Sequence, residues 1–307
     1  MKDSKTALLA AGLKAGESDM YDEDEIWSQF SGDKPDIGRA LMAVLRNLDH
    51  SLPLSRKLRC LSIGSGSEPQ FRILQAACRG GLFLLDIDQV PLNAVIERVR
   101  RQGLTGVKTI RGDYNRLLLD PARARKFREG RLAGSRLDLI TLHHSLYYSE
   151  TKDWGRLFDG LIRSILARRG AIHAVMMSAR SRDPRSTTWL YNHFAGKYFG
   201  CRNDQDLLAF AGLLKTNRTL KGSRIVTRTS KVRFRTDDFG KFMAVVWMIL
   251  LYPNVHRYSR GQREEITGYF YREFWQKKQP LVQHQDHLVL YRGLQPPGID
   301  PRSPGRK

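Results

Sequence analysis

The sequence predicts an α/β fold, in which a doubly wound, mostly parallel sheet of seven strands carries helices on both faces. Apolar, strand-like runs alternate with helix-like segments from residue 59 onward. The segments at residues 137–143 and 171–178 read as long, mainly apolar runs, as expected of strands buried on both faces. A chain of 307 residues is also long enough to bury one large α/β domain.

The seven predicted strands share an apolar run bounded by turn residues, and they lie near residues 59–63, 82–87, 107–110, 137–143, 171–178, 223–235 and 287–291. The predicted core helices share a helical apolar spacing, and they lie near residues 69–79, 90–102, 121–129, 152–168, 203–214, 237–252 and 260–277. In the sixth strand, Val232 and Phe234 alternate with basic residues, which predicts one apolar and one cationic face. The stripe of Ile266, Phe270 and Phe274 is typical of a buried helix face.

We predict a helical N-terminal cap over residues 1–55, whose first 20 residues are polar and predicted to fray. Its helices are expected over residues 21–30 and after a capping Asp36. The core follows over residues 56–295, with a helical insertion near 237–280. The tail, 296–307, is rich in Pro, Gly and Arg and is predicted to be disordered.

Residues 59–86 contain the most informative motif, a strand, a glycine turn, a helix and a second strand that ends in an acid. The turn reads Gly64-Ser65-Gly66, and Asp86 follows Gly66 by 20 positions. At this spacing a βαβ unit presents a carboxylate to a ribose diol. The motif therefore predicts a site for an adenosine-type cofactor.

The residues around this turn disfavour a dinucleotide or ATP. A dinucleotide-binding turn has a third glycine three residues after the second, where this chain has Pro69, and Glu68 would face the pyrophosphate with a like charge. Asp86, Asp88 and Asp113 are expected along the same crevice. These acids favour a cofactor with a net positive charge and no phosphate, such as S-adenosylmethionine (SAM). The chain also has no Gly-Lys-Ser/Thr phosphate loop.

Four segments carry a family resemblance, and these are residues 61–66, Asp86, residues 111–114 and residues 137–148. They resemble four parts of class I SAM-dependent methyltransferases. In order, these parts are the glycine loop, the acid after the second strand, the turn after the third strand, and the fourth strand with its exit. The last segment, which ends in Leu146-Tyr147-Tyr148, is similar to histamine N-methyltransferase and its bacterial relatives. The resemblance implies a Rossmann-like fold, SAM as cofactor and methyl transfer to a small molecule, with an amine nitrogen as acceptor.

The resemblance also implies roles for individual residues. His144 would take a proton from the acceptor, and His143 would lie beside the cofactor, because neighbouring residues on a strand point to opposite faces. The expected cofactor contacts are Gly64, Ser65, Gly66, Glu68, Asp86, Ile87, Asp113, Tyr114 and His143. By the resemblance, Tyr147 and Tyr148 would wall the acceptor pocket. Independently of it, Trp27 and Trp189 are expected as aromatic residues that roof the pocket. No metal site is predicted.

The charge of the chain suggests a second kind of partner. The net charge is +21, yet residues 1–50 contain six Lys/Arg against ten Asp/Glu, so the excess positive charge lies in the body of the chain. Such a charge favours anionic partners, although a plain compositional bias explains it equally well. It leaves open an RNA methyltransferase that uses the basic face at Lys231, Arg233 and Arg235, but no base-clamping motif follows the fourth strand. A non-catalytic Rossmann-like binding protein is the third alternative.

The cysteines and apolar runs constrain the location of the protein. Cys60, Cys78 and Cys201 show no CxxC spacing, so a disulfide framework and a cysteine zinc site are not expected, and Cys60 and Cys78 are predicted to be packing residues. The longest apolar run, residues 242–252, is shorter than the roughly 20 residues needed to span a bilayer. We therefore expect a protein of the reducing cytoplasm without a membrane span.

Overall fold

A computed structural model describes residues 4–17, 20–217, 220–251 and 255–294. The strands of this described part are β1 (Arg59–Ile63), β2 (Gly81–Asp86), β3 (Val107–Arg111), β4 (Leu137–His143), β5 (Leu166–Met177), β6 (Arg224–Phe234) and β7 (Leu281–Arg292). They form one sheet in the order β3-β2-β1-β4-β5-β7-β6. The pairs β1–β2, β2–β3, β1–β4 and β4–β5 are parallel. The predicted fold class is confirmed.

The helices of the described part are α1 (Lys5–Lys14), α2 (Met20–Phe30), α3 (Asp33–Ser51), α4 (Phe71–Ala77), α5 (Gln89–Arg101), α6 (Tyr114–Leu118), α7 (Pro121–Arg131), α8 (Trp154–Gly160), α9 (Thr187–Phe199), α10 (Leu207–Thr216), α11 (Phe239–Ile249) and α12 (Arg260–Phe270). Two π-helical segments, Leu161–Ile165 and Tyr271–Trp275, continue α8 and α12. None of the helices in these ranges is long and apolar enough to cross a bilayer.

The alternation of side chains along the central strands builds two cores, one on each face of the sheet. Leu82 and Leu84 of β2 pack into a cluster with α3, α4 and α5. Phe83 and Leu85 of the same strand pack into a second cluster with α6, α7, α8 and α10. Since successive residues of a strand point to opposite faces, one apolar run supplies both cores. This explains why the strands read as unbroken apolar segments.

The strand order also fixes where a ligand is expected. The chain runs outward from β1 to β2 and β3, and then returns to the other side of β1 as β4. The connections after β1 and β4 therefore diverge and leave a crevice at the carboxyl ends of these two strands. In open α/β sheets ligands bind in this crevice.

The chain divides into two compact units. The first contains residues 1–36, 177–206 and 229–285, and the second contains residues 37–176, 207–228 and 286–307. The core of the first unit is rich in aromatic rings from α2, α9, α11 and α12, and Ile266, Phe270 and Phe274 are buried there, as predicted. The cap, core and insertion boundaries drawn from the sequence stay a prediction, and the predicted tail lies outside the described residues.

The N-terminal prediction was wrong in two respects. Residues 5–14, which we expected to fray, form α1. Gly12 of this helix is buried, and a Cβ atom there would lie 2.8 Å from the ring of Phe239, so the small residue allows close packing. Asp36 does not cap α3, which begins at Asp33, because the Asp36 carboxylate instead accepts hydrogen bonds from Ser230 and Gln285.

Other differences concern the ends of elements. The helix predicted over residues 152–168 ends at Ile165, and β5 already begins at Leu166, opposite Leu137. Helices α6 and α9 were not predicted. The final strand, predicted over residues 287–291, is the longer β7. The alternation in β6 is confirmed, since Val232 and Phe234 are buried and the basic residues between them are exposed.

Candidate functional site

The turn after β1 approaches the exit of β4 closely, and this requires a glycine. Gly64 has a φ of 61°, in the left-handed region, and a Cβ atom there would lie 2.4 Å from Cβ of Ser145. Gly66 has a φ of 50°, but a Cβ atom there would meet nothing within 4 Å. Gly64 therefore serves the packing of the protein itself, whereas Gly66 borders open space.

Asp86, the last residue of β2, fixes the glycine turn from the side. One of its carboxylate oxygens accepts the backbone N–H of Gly66 at 2.7 Å, and the other accepts that of Asp88 at 2.9 Å. A carboxylate offers about four lone-pair positions, so these two bonds leave room for a diol. The predicted 20-residue spacing thus brings Gly66 and Asp86 into direct contact.

Glu68 occupies the start of α4, where a dinucleotide-binding turn would hold a phosphate. It is 3 % exposed, has a φ of 51°, and accepts the backbone N–H of Gln70 at 3.0 Å through a carboxylate oxygen. A buried carboxylate at this position opposes a second anion. The left-handed backbone of a non-glycine residue is a local strain of the kind that collects at functional sites.

Two buried hydroxyl groups flank the same turn. The Oγ atoms of Ser65 and Ser145 are buried and have no hydrogen-bond partner among the described residues. A Cβ atom on Gly64 would lie 3.3 Å from Oγ of Ser145, so this hydroxyl belongs to the wall of the turn. Buried polar atoms are normally satisfied, and orphaned ones mark a place for a ligand or water.

The turn after β3 supplies the next part of the crevice. Asp113 caps α6 by accepting the N–H of Asn115 at 2.9 Å. Tyr114 is buried, and its hydroxyl donates to the carbonyl of Ser145 at 2.7 Å, so it links this turn to the exit of β4. Burial, followed by the nearby Asp113 charge, raises the pKa of Tyr114. Ile87, directly after Asp86, leaves an apolar side chain 65 % exposed.

The exit of β4 differs from the expectation for its histidines. The strand ends at His143, and His144 has a φ of 54°, so the two side chains do not follow strand alternation. Nδ1 of His144 lies 3.1 Å from the hydroxyl of Tyr147, and the two rings are stacked. Tyr147 is half-buried, while Tyr148 is 59 % exposed and its carbonyl accepts a hydrogen bond from Asn115.

His143 begins a chain of imidazole rings that crosses three strands. Its Nε2 lies 3.1 Å from Nδ1 of His173 on β5, and Nε2 of His173 lies 3.3 Å from Nδ1 of His287 on β7. Nη2 of Arg228 on β6 lies 3.3 Å from Nε2 of His287. His173 and His287 are almost fully buried. His173, His287 and Arg228 were not predicted as site residues.

The arginine fixes the direction of this histidine chain. A guanidinium can only donate, so Nε2 of His287 must accept, and its proton lies on Nδ1. Nδ1 of His287 then donates to His173, and Nδ1 of His173 donates to Nε2 of His143. This direction places the proton of each ring on Nδ1, and Nδ1 of His143 is buried.

This assignment predicts the effect of replacing Arg228. In the native protein we expect ¹⁵N-resolved NMR to show Nδ1–H tautomers for His143, His173 and His287. In Arg228→Met the constraint is gone, and we expect the signals of His287 and His173 to change tautomer or broaden by exchange. Arg224→Met, an exposed position on the same strand, is the matched control and should leave them unchanged. An Nε2–H tautomer at His287 in the native protein would contradict the assignment.

The two tryptophans expected at the acceptor pocket lie in the first compact unit. Trp27 is 3 % exposed, and its ring stacks on Phe234 with centroids 5.6 Å apart. Trp189 is half-buried and stacks on His193 at 4.7 Å. Within this unit both rings contribute to packing, and their contact with an acceptor stays a prediction. Cys60 and Cys78 are buried in one apolar cluster of the second unit, as predicted.

A cleft of about 570 Å³ lies on the outer side of the glycine turn. Residues 67–69 and the α5 residues Ala94, Arg98 and Arg101 contribute to its lining. Glu68 lines the cleft as well, but Asp86 and the exit of β4, which carry the other polar groups described above, do not. We therefore place the candidate site at the strand ends and not in this cleft. Among the described residues, no group of three or more His, Cys, Asp or Glu side chains is arranged to hold a metal ion.

Three solved structures are similar to this chain. The YcgJ protein of Bacillus subtilis is 12 % identical, and the match covers 84 % of this chain and 98 % of that protein with a TM-score of 0.53. A putative methyltransferase of Bacillus halodurans is 11 % identical over 81 % of this chain and 97 % of that one, with a TM-score of 0.49. A putative sarcosine dimethylglycine methyltransferase of Galdieria sulphuraria is 14 % identical over 84 % of both chains, with a TM-score of 0.47.

At these identities the likeness to the Bacillus subtilis protein shows a shared fold and nothing more. No protein-family model matches the chain. No curated protein sequence matches it either. The function therefore has to be argued from the site.

Proposed function

We propose that the protein is a SAM-dependent methyltransferase of the class I type, acting on a small molecule with an amine nitrogen as acceptor. The observation that carries the proposal is the pair of carboxylates at the turn after β1. Asp86 holds the turn beside Gly66 with lone pairs left for a ribose, and Glu68 fills the position of a phosphate. A nucleoside that carries a positive charge fits this arrangement better than one that carries a diphosphate.

The residues present fit such a cofactor. Asp86 would accept from the ribose hydroxyls, and the exposed side chain of Ile87 offers an apolar surface for adenine. The hydroxyl groups of Ser65 and Ser145 are buried at the turn and have no hydrogen-bond partner among the described residues. They would supply the polar contacts that the amino-acid arm of SAM needs. Gly66 opens the space that this arm requires, because no atom lies within 4 Å of its missing Cβ.

SAM supplies a methyl group on an already activated sulfonium, so this chain's own residues have to position and deprotonate the acceptor. An amine that arrives as an ammonium must lose a proton before it can attack. His144, paired with Tyr147, would take this proton, and Tyr148 would present its exposed ring to the amine. The cap, core and insertion predicted from the sequence are retained as part of this proposal.

The first experiment identifies the acceptor. Purified protein is incubated with isotope-labelled SAM and a metabolite extract that also contains RNA, and both fractions are searched for label. We expect the label in a small amine. Label in the RNA fraction would favour the RNA methyltransferase alternative, and no label in either fraction, despite SAM binding, would favour a binding protein without this activity.

A variant at His144 tests the proposed base. His144→Asn should lower kcat by about 100-fold or more, because general bases contribute factors of about 10² to 10⁴, while SAM affinity stays within about threefold. Asparagine tolerates the left-handed backbone, so the fold should persist. Tyr147→Phe, which removes only the hydroxyl partner, should cost less. An unchanged kcat in His144→Asn at all pH values would exclude the role.

A further inference from the structure

The second compact unit contains a group of arginines at the edge of the sheet opposite the cofactor crevice. We define the arginine cluster as Arg125, Arg128, Arg136, Arg168 and Arg292. Arg136 immediately precedes β4, Arg168 lies near the start of β5, Arg292 ends β7, and the other two lie on one face of α7. β4 is seven residues long, so at about 3.3 Å per residue the cluster lies about 20 Å from His143 at its other end.

Backbone carbonyls hold three of these side chains in place. Arg136 donates to the carbonyl of Leu166 at 2.9 Å, Arg128 donates to that of Ser164 at 3.0 Å, and Arg292 donates to that of Ile162 at 2.6 Å. The three guanidinium groups are thus fixed around one short stretch of backbone. Each guanidinium has five N–H donors, so these contacts leave donors for a ligand.

The cluster repels itself. Burial, followed by the positive charges of the other four members, lowers the pKa of Arg136. Burial and Arg168 also lower the pKa of Arg292. Glu129 pairs with Arg128 at 3.2 Å, so the five arginines less one glutamate leave four excess positive charges. Charges kept this close without matching carboxylates are stabilised when an anion with several charges binds.

We propose that the arginine cluster binds the phosphate backbone of a nucleic acid, with single-stranded RNA as the probe. None of the exposed large apolar side chains in the described part of the chain lies on α7, at the start of β5 or at the end of β7. A membrane-binding surface usually inserts apolar groups, whereas phosphate contacts need none. No exposed large aromatic side chain of the described residues lies there either, so the cluster offers contacts to phosphate alone, and such contacts carry no sequence information. The RNA is a partner and not the methyl acceptor, because it lies far from His144.

The test measures binding of a labelled 20-nucleotide RNA by fluorescence anisotropy, without SAM. Because the cluster has four excess charges, we expect a plot of the logarithm of RNA affinity against the logarithm of salt concentration to have a slope of about −3. The double variant Arg125→Glu/Arg168→Glu changes two exposed side chains that have no carbonyl contact above, and it should weaken binding at least tenfold and flatten the slope. Arg100→Glu/Arg260→Glu, which alters the net charge equally at exposed helix positions, should change affinity less than threefold.

Four outcomes decide the proposal. A loss of RNA affinity that is confined to Arg125→Glu/Arg168→Glu supports the proposal. An equal loss of RNA affinity in the cluster variant and in the control variant overturns it, because net charge alone would then explain the binding. No binding at low salt also overturns it, as does tighter binding to phosphatidylserine vesicles than to RNA. SAM binding by the cluster variant is measured separately and should be unchanged, so a failure here is distinguishable from a failure of the proposed methyltransferase function.

Discussion

Asp86→Asn is expected to weaken SAM binding at least about 100-fold, since two hydrogen bonds to a carboxylate contribute about 1.5–3 kcal/mol each. The native carboxylate accepts the N–H groups of Gly66 and Asp88 on its two oxygens. An asparagine has only one oxygen, so its amide N–H₂ would face one of these two donors. The variant therefore loses one of the two bonds that anchor the turn and the second oxygen that would accept from the ribose. Isothermal titration calorimetry measures the loss.

The neighbouring acid is the matched control for this variant. Asp88 caps α5 by accepting the N–H of Val90 at 2.8 Å, and asparagine caps helices about as well as aspartate. Asp88→Asn should therefore bind SAM within about threefold of the native protein. Thermal unfolding of both variants shows whether the fold persists. Native-like SAM affinity in Asp86→Asn would remove this residue from the cofactor site.

Gly64→Ala is expected to lower the free energy of unfolding by about 3 kcal/mol, the sum of a left-handed backbone penalty and overpacking. The new Cβ would lie 2.4 Å from Cβ of Ser145, which cannot move without shifting the exit of β4. Urea unfolding followed by circular dichroism measures the change.

Gly66→Ala is the matched variant at the other glycine. It carries only the backbone penalty, about 1 kcal/mol, because its Cβ meets no protein atom within 4 Å. Its Cβ would instead occupy the space assigned to the cofactor, so we expect a small loss of stability together with a large loss of SAM affinity. Equal stability losses in the two variants would contradict the different roles given to the two glycines.

The sequence predicted the parts of the protein that depend on local patterns. The boundaries of β4 were predicted correctly because Leu137, Leu139, Ile140 and Leu142 make this segment mostly apolar and it ends at a histidine. The pairing of Gly66 with Asp86 followed from a spacing that the βαβ geometry imposes. By contrast, α1 has no amphipathic period, and its close approach to α11 depends on Gly12, so no local signal marked it.

The histidine chain shows why the rest of the site could not be predicted. Its three rings come from β4, β5 and β7, Arg228 comes from β6, and they meet only because β7 lies between β5 and β6 in the sheet. That order is a tertiary property, and no spacing in the chain encodes it. The left-handed backbone of His144 was equally hidden, since a histidine after a strand gives no sign of it.

The buried Glu68 and the anchored Asp86 are proposed to select a positively charged nucleoside without a diphosphate. Calorimetric titration of the native protein with SAM, and separately with NAD, decides this. We expect saturable heat with SAM, an affinity for SAM at least about 100-fold lower in Asp86→Asn, and no heat with NAD. Heat with NAD and none with SAM would contradict it.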